Sequence, residues 1–251
     1  MVAVALRVRA LGHEARLCVP PNFVAWVRAL GFEAFPVGVE MRARSASAPP
    51  LTAEELKRLR ESMPDLITDQ FVAVAAAADG CDVILGANAH QYAARSIAEL
   101  RGIPYLCALY APVALPSTDL PPPPAPGQPW APSDDATHAR LWSESVQAWN
   151  ARALERVNHN RTERGLAPID DVLRHNITDH PLLATDAALA PLPTTPGITV
   201  VETGAWILAD EAPLPPALTA FLAAADAPVY FGFGSMPAPA GVGRALVDAA
   251  R

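Results

Sequence analysis

The residues best equipped for chemistry stand at the ends of short apolar runs. Gly232-Phe233-Gly234-Ser235 closes the run Val229 to Phe233 and precedes a helical pattern from Gly241 to Arg251. Gly234 permits close backbone approach, and Ser235 brings a hydroxyl and free backbone N–H groups near a helix N-terminus, a cradle for a diphosphate. A simple tight turn is the alternative, because GxGS alone is a weak signal. Asn88 and His90 follow the run Asp82 to Leu85, and Tyr110 and Pro112 follow Tyr105 to Leu109. In an open α/β sheet ligands sit beyond the carboxyl ends of the strands, so these four are candidates for lining a pocket. For His90 the competing reading is a helix-start histidine that caps or packs.

Other residues attract attention and carry less. Asp179-His180 has the types of a catalytic dyad, yet neighbours on an extended chain point to opposite faces and no nucleophile motif accompanies them. His13 lies at the amino end of a strand, the wrong end of a sheet for ligands. Trp142 and Trp149, seven residues apart, share a helical face, which means packing first and an acceptor platform second. Asn160-Arg161-Thr162 and Asn176-Ile177-Thr178 match the glycosylation sequon, which matters only in a secreted chain. Cys18, Cys81 and Cys107 are odd in number, widely spaced and set in apolar runs, so they read as small hydrophobes rather than disulfides or metal ligands.

The elements that must position these residues alternate. Met1 to Leu11 reads as a helix capped by Gly12, Glu14 to Val19 as a strand, Asn22 as the cap of a helix from Phe23 to Leu30, and Phe32 to Val37 as a strand. Gly38 to Pro50 is irregular. Thr52 and Glu55 have capping-box spacing for a helix to about Glu61; Pro64 interrupts, and Asp65 to Ala78 resumes the pattern. Asp82 to Leu85 reads as a strand, Ala89 to Leu100 as a helix, and Tyr105 to Leu109 as the next strand. Nine prolines between Pro112 and Pro132 leave few amide donors, so this part is an extended loop. With Gly38 to Pro50 it is expected to form a mobile rim around a bulky ligand. A long helix from His138 to Arg164 and strands at Pro181 to Thr185 and Ile198 to Glu202 follow. After Asp210 to Pro216, a linker, come a helix from Pro216 to Ala225 and the strand at Val229. The alternation predicts an α/β protein with a parallel, Rossmann-like sheet and helices on both faces, since parallel strands need helical crossovers.

Composition sets the outer limits. The chain has 251 residues, 51% apolar and 18% charged, enough apolar surface to exclude disorder. A net charge of −7 argues against nucleic acid. No stretch supplies the roughly 20 clean apolar residues of a membrane span, and no basic leader with a cleavage box opens the chain, so a cytoplasmic protein is expected.

Several segments together resemble the vancomycin-group enzymes among the GT-B glycosyltransferases: LRALGHEARLCVPP, ELRGIPYLCALYAP, LPPPPAPG, TDHPLLATDAALAPL, TGAWILADEAPLPP and VYFGFGSM. The resemblance implies two Rossmann-like domains facing a cleft, an N-terminal one for the acceptor and a C-terminal one for the nucleotide sugar. Residues 1–209 correspond to the acceptor domain without its first strand, 210–216 to the linker, and 217–251 to an incomplete start of the donor domain. The implied reaction moves a hexosyl group from a UDP- or TDP-sugar to a hydroxyl of a glycopeptide or other hydrophobic aglycone, with inversion and with neither metal nor cofactor. The family's base Asp would lie upstream of Met1 and its His-Gly-Gly donor loop beyond Arg251, so no residue of this chain is expected to be catalytic; Gly234 and Ser235 are expected to meet the nucleotide sugar. The alternative is an inactive acceptor-binding fragment. A dinucleotide-dependent oxidoreductase would require G-x-G-x-x-G after a first strand. Loss of a central strand predicts open edges on the strands at Glu14 to Val19 and Asp82 to Leu85, and self-association through them.

Overall fold

The computed structural model describes residues 1–40, 52–124, 135–209, 212–224, 226–231 and 241–250. Two compact units divide the chain, one of residues 1–40 and 59–208, the other of residues 41–58 and 209–251.

The first unit is α/β, and every strand pair in it is parallel. Helix α1 (Val2–Ala10) leads through Gly12, at φ +88°, into β1 (Arg16–Val19). Helix α2 (Val24–Ala29) and β2 (Glu33–Pro36) follow. Ala5, Leu17, Val27, Phe32 and Ala34 form a small core beneath them. Asn22 does not cap α2. It sits inside a 3-10 turn, Pro21–Phe23, because the preceding prolines bring the chain into helical geometry one residue early.

Helix α3 (Ala53–Ala77) begins with the expected capping box. The Glu55 N–H donates to Thr52 Oγ1 at 3.2 Å, and the Thr52 N–H donates to Glu55 Oε2 at 2.7 Å. The interruption expected at Pro64 does not occur. The helix runs through it, losing one backbone donor, because Ile67, Phe71 and Val74 further along are locked into the main core.

A four-stranded sheet runs in the order β3 (Ile84–Ala87), β4 (Tyr105–Leu109), β5 (Leu182–Leu183), β6 (Val201–Glu202). Helices α4 (Ala94–Arg101), α5 (Asp135–Thr162) and α6 (Val172–Ile177) cover it. β1 pairs with β2 alone and β3 with β4, so among the described residues neither meets a second strand. The open edges expected on these two strands are present. Both sheets nevertheless share one core: Cys18 on β1 and Ile84 on β3 pack on the cluster that holds Phe71, Ile97 and Val157. Arg16 ties β1 to the end of α3 by donating to the Ala77 carbonyl at 3.3 Å and the Asp79 carbonyl at 2.5 Å.

Gly86 on β3 is required by its neighbour. A Cβ there would lie 2.5 Å from the Tyr105 hydroxyl oxygen and 2.9 Å from its ring. That hydroxyl donates to the Asn176 carbonyl at 2.9 Å, joining β4 to α6. Gly86→Ala is therefore expected to swing the ring away and destabilise the protein by about 2 kcal/mol. Urea denaturation reads the loss, and Tyr105→Leu in the Gly86→Ala background should restore part of it; unchanged stability in the single variant would contradict the assignment.

The second unit contains α7 (Pro216–Ala223) and α8 (Val242–Ala249). The strand expected from Val229 is absent over residues 227–231, where Val229 and Tyr230 are 74% and 88% exposed. An apolar run becomes a strand only when a ladder partner takes up its N–H and C=O groups, and the described residues offer none.

Candidate functional site

The chain leaves β3 through Asn88, whose backbone is left-handed at φ +62°. From Asn88 to Ala93 it turns instead of starting the helix expected at Ala89. Neighbouring groups intercept the donors and acceptors that a helix would use. The Asn88 N–H donates to the Ala108 carbonyl at 2.7 Å, and Asn88 Oδ1 accepts the His90 N–H at 2.8 Å. Gln70 on α3 donates to the His90 carbonyl at 3.2 Å and accepts the Tyr92 N–H at 2.9 Å. Asn176 Nδ2 on α6 donates to the Ala89 carbonyl at 2.8 Å. This loop at the carboxyl edge of the sheet is thus held in one shape before any ligand arrives.

The shape gathers three rings. His90 lies 4.7 Å from Trp149 of α5, Tyr92 lies 6.0 Å from Trp149, and His90 meets Tyr92 edge to face at 6.2 Å. Such separations suit aromatic pairing. The Arg152 guanidinium stands 6.0 Å from the Trp149 ring centre. His90 is exposed and Trp149 half-buried, whereas Tyr92 is 2% exposed. Desolvation first, then Arg152, lowers the His90 pKa, so the imidazole is neutral near pH 7 and able to accept a hydrogen bond from a hydroxyl. Burial raises the Tyr92 pKa against the opposing pull of Arg152.

Tyr110 stands at the same edge, after β4, and is 42% exposed. Its ring packs edge to face with Trp206, beyond β6, at 6.0 Å. Pro112 is buried in a 3-10 turn, Pro112–Ala114. The structure therefore brings Asn88 and His90 into one turn and sets Tyr110 with a different partner. Gly234, Ser235 and most of the Gly38 to Pro50 segment lie outside the described residues.

The first part of the proline loop is anchored, unlike the mobile rim expected for it. Ser117 Oγ accepts the N–H groups of Asp119 and Leu120, and an Asp119 carboxylate oxygen accepts the Thr194 N–H at 2.6 Å. The Thr118 and Leu120 carbonyls receive His138 Nδ1 at 2.7 Å and Trp142 Nε1 at 2.8 Å. A segment poor in amide donors is fixed through its acceptors. Trp142 is consumed by this structural task, while Trp149, two turns along α5, faces the His90 loop.

Behind the loop, α6 acts as a bracket that the sequence did not reveal. Asn150 on α5 donates to the Asp170 carbonyl at 2.7 Å and accepts the Val172 N–H at 3.0 Å, and the Asp171 side chain caps the helix. On one side α6 presents Asn176 to the loop. On the other, buried His175 places Nε2 3.2 Å from Ser96 Oγ, while Arg161 donates to the same hydroxyl at 2.8 Å and pairs with Glu99 at 2.8 Å. Ser96 is 0% exposed, so this Ser–His–Glu grouping is structural and not a nucleophile. Burial, then Arg95 and Arg161, pushes the His175 pKa down to about 3.

At the opposite, amino edge of β4 lies an open concavity of about 480 Å³ lined by Arg95, Glu99, Tyr105, Thr178, Asp179 and His180. Asp179 there pairs with Arg174, not with His180, so no dyad forms. Both sequon asparagines are buried, Asn160 at 1% and Asn176 at 0% exposure. Among the described residues no three His, Cys, Asp or Glu side chains are arranged to hold a metal ion. No helix among them is long and apolar enough to cross a membrane.

A parallel sheet with a pinned, aromatic carboxyl edge fits many ligand-binding proteins, and comparison with known proteins narrows the field. The chain is 41% identical over its whole length to glycosyltransferase GtfE of Amycolatopsis orientalis, spanning 61% of that protein. It is 42% identical to the vancomycin aglycone glucosyltransferase of the same organism, again spanning 61% of it. By sequence the chain is similar along its whole length to the vancomycin-group glycosyltransferases. A more distant member of the group, a dTDP-epi-vancosaminyltransferase of A. orientalis, is 37% identical over 96% of the chain and 55% of its own length. The chain thus spans about three fifths of the length of the glycosyltransferases it matches. No family model matches it. Among solved structures, spinosyn forosaminyltransferase SpnP superposes with a TM-score of 0.52 at 18% identity, covering 87% of this chain and 50% of SpnP, a likeness of fold.

Proposed function

We propose that this chain supplies the acceptor-binding part of a sugar transferase. In this reading a hexosyl group passes, with inversion, from a UDP- or TDP-hexose to a hydroxyl of a glycopeptide or similar hydrophobic aglycone. The carrying observation is the pinned loop from Asn88 to Tyr92 with its exposed ring face at the carboxyl edge of β3, within a chain related over its length to an aglycone glucosyltransferase. Residues 1–209 form the acceptor domain, 210–216 the linker and 217–251 the beginning of the donor domain, in which Gly234 and Ser235 cradle the diphosphate. Asn88, His90, Tyr110 and Pro112 border the acceptor. The three free thiols suit a cytoplasmic enzyme.

The second reading, a catalytically inactive acceptor-binding fragment, is favoured by the residues proposed to border the acceptor: Asn88, His90, Tyr110 and Pro112 include no carboxylate to take the acceptor proton. Mass spectrometry of a glycopeptide aglycone incubated with the protein and a nucleotide hexose separates the two. Hexosylated product supports the transferase, and bound but unmodified aglycone supports the fragment.

The open edges of β1 and β3 lead to a further expectation. Parallel strands with unused N–H and C=O groups recruit other chains, so the sedimentation coefficient should rise with protein concentration. A concentration-independent monomer would remove this part of the account.

A further inference from the structure

The rings at the carboxyl edge of β3 are accompanied by one cation whose role the acceptor reading does not specify. Arg152 is exposed, lies beside both Trp149 and Tyr92, and has no carboxylate partner among the described residues. Elsewhere on α5 the exposed arginine Arg140 is neutralised by Glu144 one turn away. At Arg152 the corresponding position is Arg156, a like charge that offers nothing to pair with. A guanidinium with no ion pair among the described residues, set over an aromatic floor, supplies two complementary surfaces: a π-face for a planar ring and a fork of donors for a carboxylate.

We propose that His90, Trp149 and Arg152 form a subsite for an aromatic ring bearing a carboxylate, the ring lying against His90 and Trp149 and the carboxylate meeting Arg152. The inference rests on the reading of this edge as the acceptor side and adds the charge of the group that the edge selects. The loop's fixed shape makes the selection possible, since Gln70, Asn88 and Asn176 hold the His90 ring in place without the ligand's help. Tyr92 completes the floor from beneath, its ring buried and edge-on to His90.

A pair of ligands that differ only in charge tests the proposal. 4-Hydroxyphenylacetate and 4-hydroxyphenylacetamide are titrated into the full chain at low salt, and affinities are read by ligand-observed NMR. The acid should bind about three- to fivefold more tightly than the amide, the range an exposed charge pair provides. The preference should vanish in Arg152→Gln and at high salt, where the pair is screened. His90→Ala should weaken acid and amide alike. Equal affinities in the unaltered protein, a preference that survives Arg152→Gln, or no binding of either ligand would each overturn the proposal. Acid selection by a chain that neither modifies nor binds a glycopeptide aglycone would leave the subsite standing and remove the acceptor reading. Hexosyl transfer without acid selection would do the reverse.

Discussion

Acidification from pH 7 to pH 4 is expected to destabilise this protein through one side chain, His175. In the folded chain its pKa is pushed down to about 3 by burial and by the neighbouring Arg95 and Arg161. Unfolded, it titrates near the ordinary value of about 6.5. Between these values the unfolded chain binds a proton that the folded chain refuses, so stability falls as pH falls through this window. The contribution is complete above the unfolded pKa and lost progressively toward the folded one. The upper limit is on the order of 4 kcal/mol, because each unit of difference is about 1.4 kcal/mol. Glu99, whose carboxylate lies 3.9 Å from His175 Nδ1, pulls the other way without prevailing over two arginines and burial. Urea titrations at a series of pH values should show this slope in the unaltered protein and a clearly smaller one in His175→Gln. Identical slopes in both would show that His175 does not titrate as described.

Replacing Arg161 by Met should cost about 3 kcal/mol, among the largest effects of any single substitution here. Arg161 is 4% exposed and holds three groups at once: Ser96 Oγ, the Glu99 carboxylate and, through Nε at 2.9 Å, the Ala167 carbonyl. Methionine fills the volume and leaves these without their donor. Arg140→Met removes an exposed pair with Glu144 and should change stability by less than about 0.5 kcal/mol. The two predictions are linked, because Arg161 helps depress the His175 pKa. In Arg161→Met the acid sensitivity assigned to His175 should therefore shrink even as overall stability drops. A variant as stable as Arg140→Met would contradict the role given to this residue.

The fold class was legible because it rests on local patterns: apolar runs bounded by Gly12, Gly31, Gly102 and Gly165, all with positive φ, and a capping box at Thr52. What escaped was decided by distant groups. β3 lies two residues beyond the run Asp82 to Leu85, since its register is set by pairing of Ile84 with Tyr105 and not by hydrophobicity. Helix α6 was missed because it is short and takes its support from Asn150 and Asn158 on α5. His90 was reachable from the rule that ligands sit past strand ends. Its partners Tyr92 and Trp149 were not, because Trp149 is brought in from a separate helix and the seven-residue spacing from Trp142 signalled packing on a face where the two rings do different work. The spacing also carried the one usable hint, a platform reading ranked second.

The central claim is that this chain binds the acceptor. Calorimetric titration of the full chain with a vancomycin-type aglycone, and separately with the nucleoside diphosphates UDP and TDP, tests it most directly. The account predicts saturable aglycone binding that weakens in His90→Ala, with nucleotide binding weaker than aglycone binding. Tight nucleotide binding beside an aglycone that does not bind would contradict it.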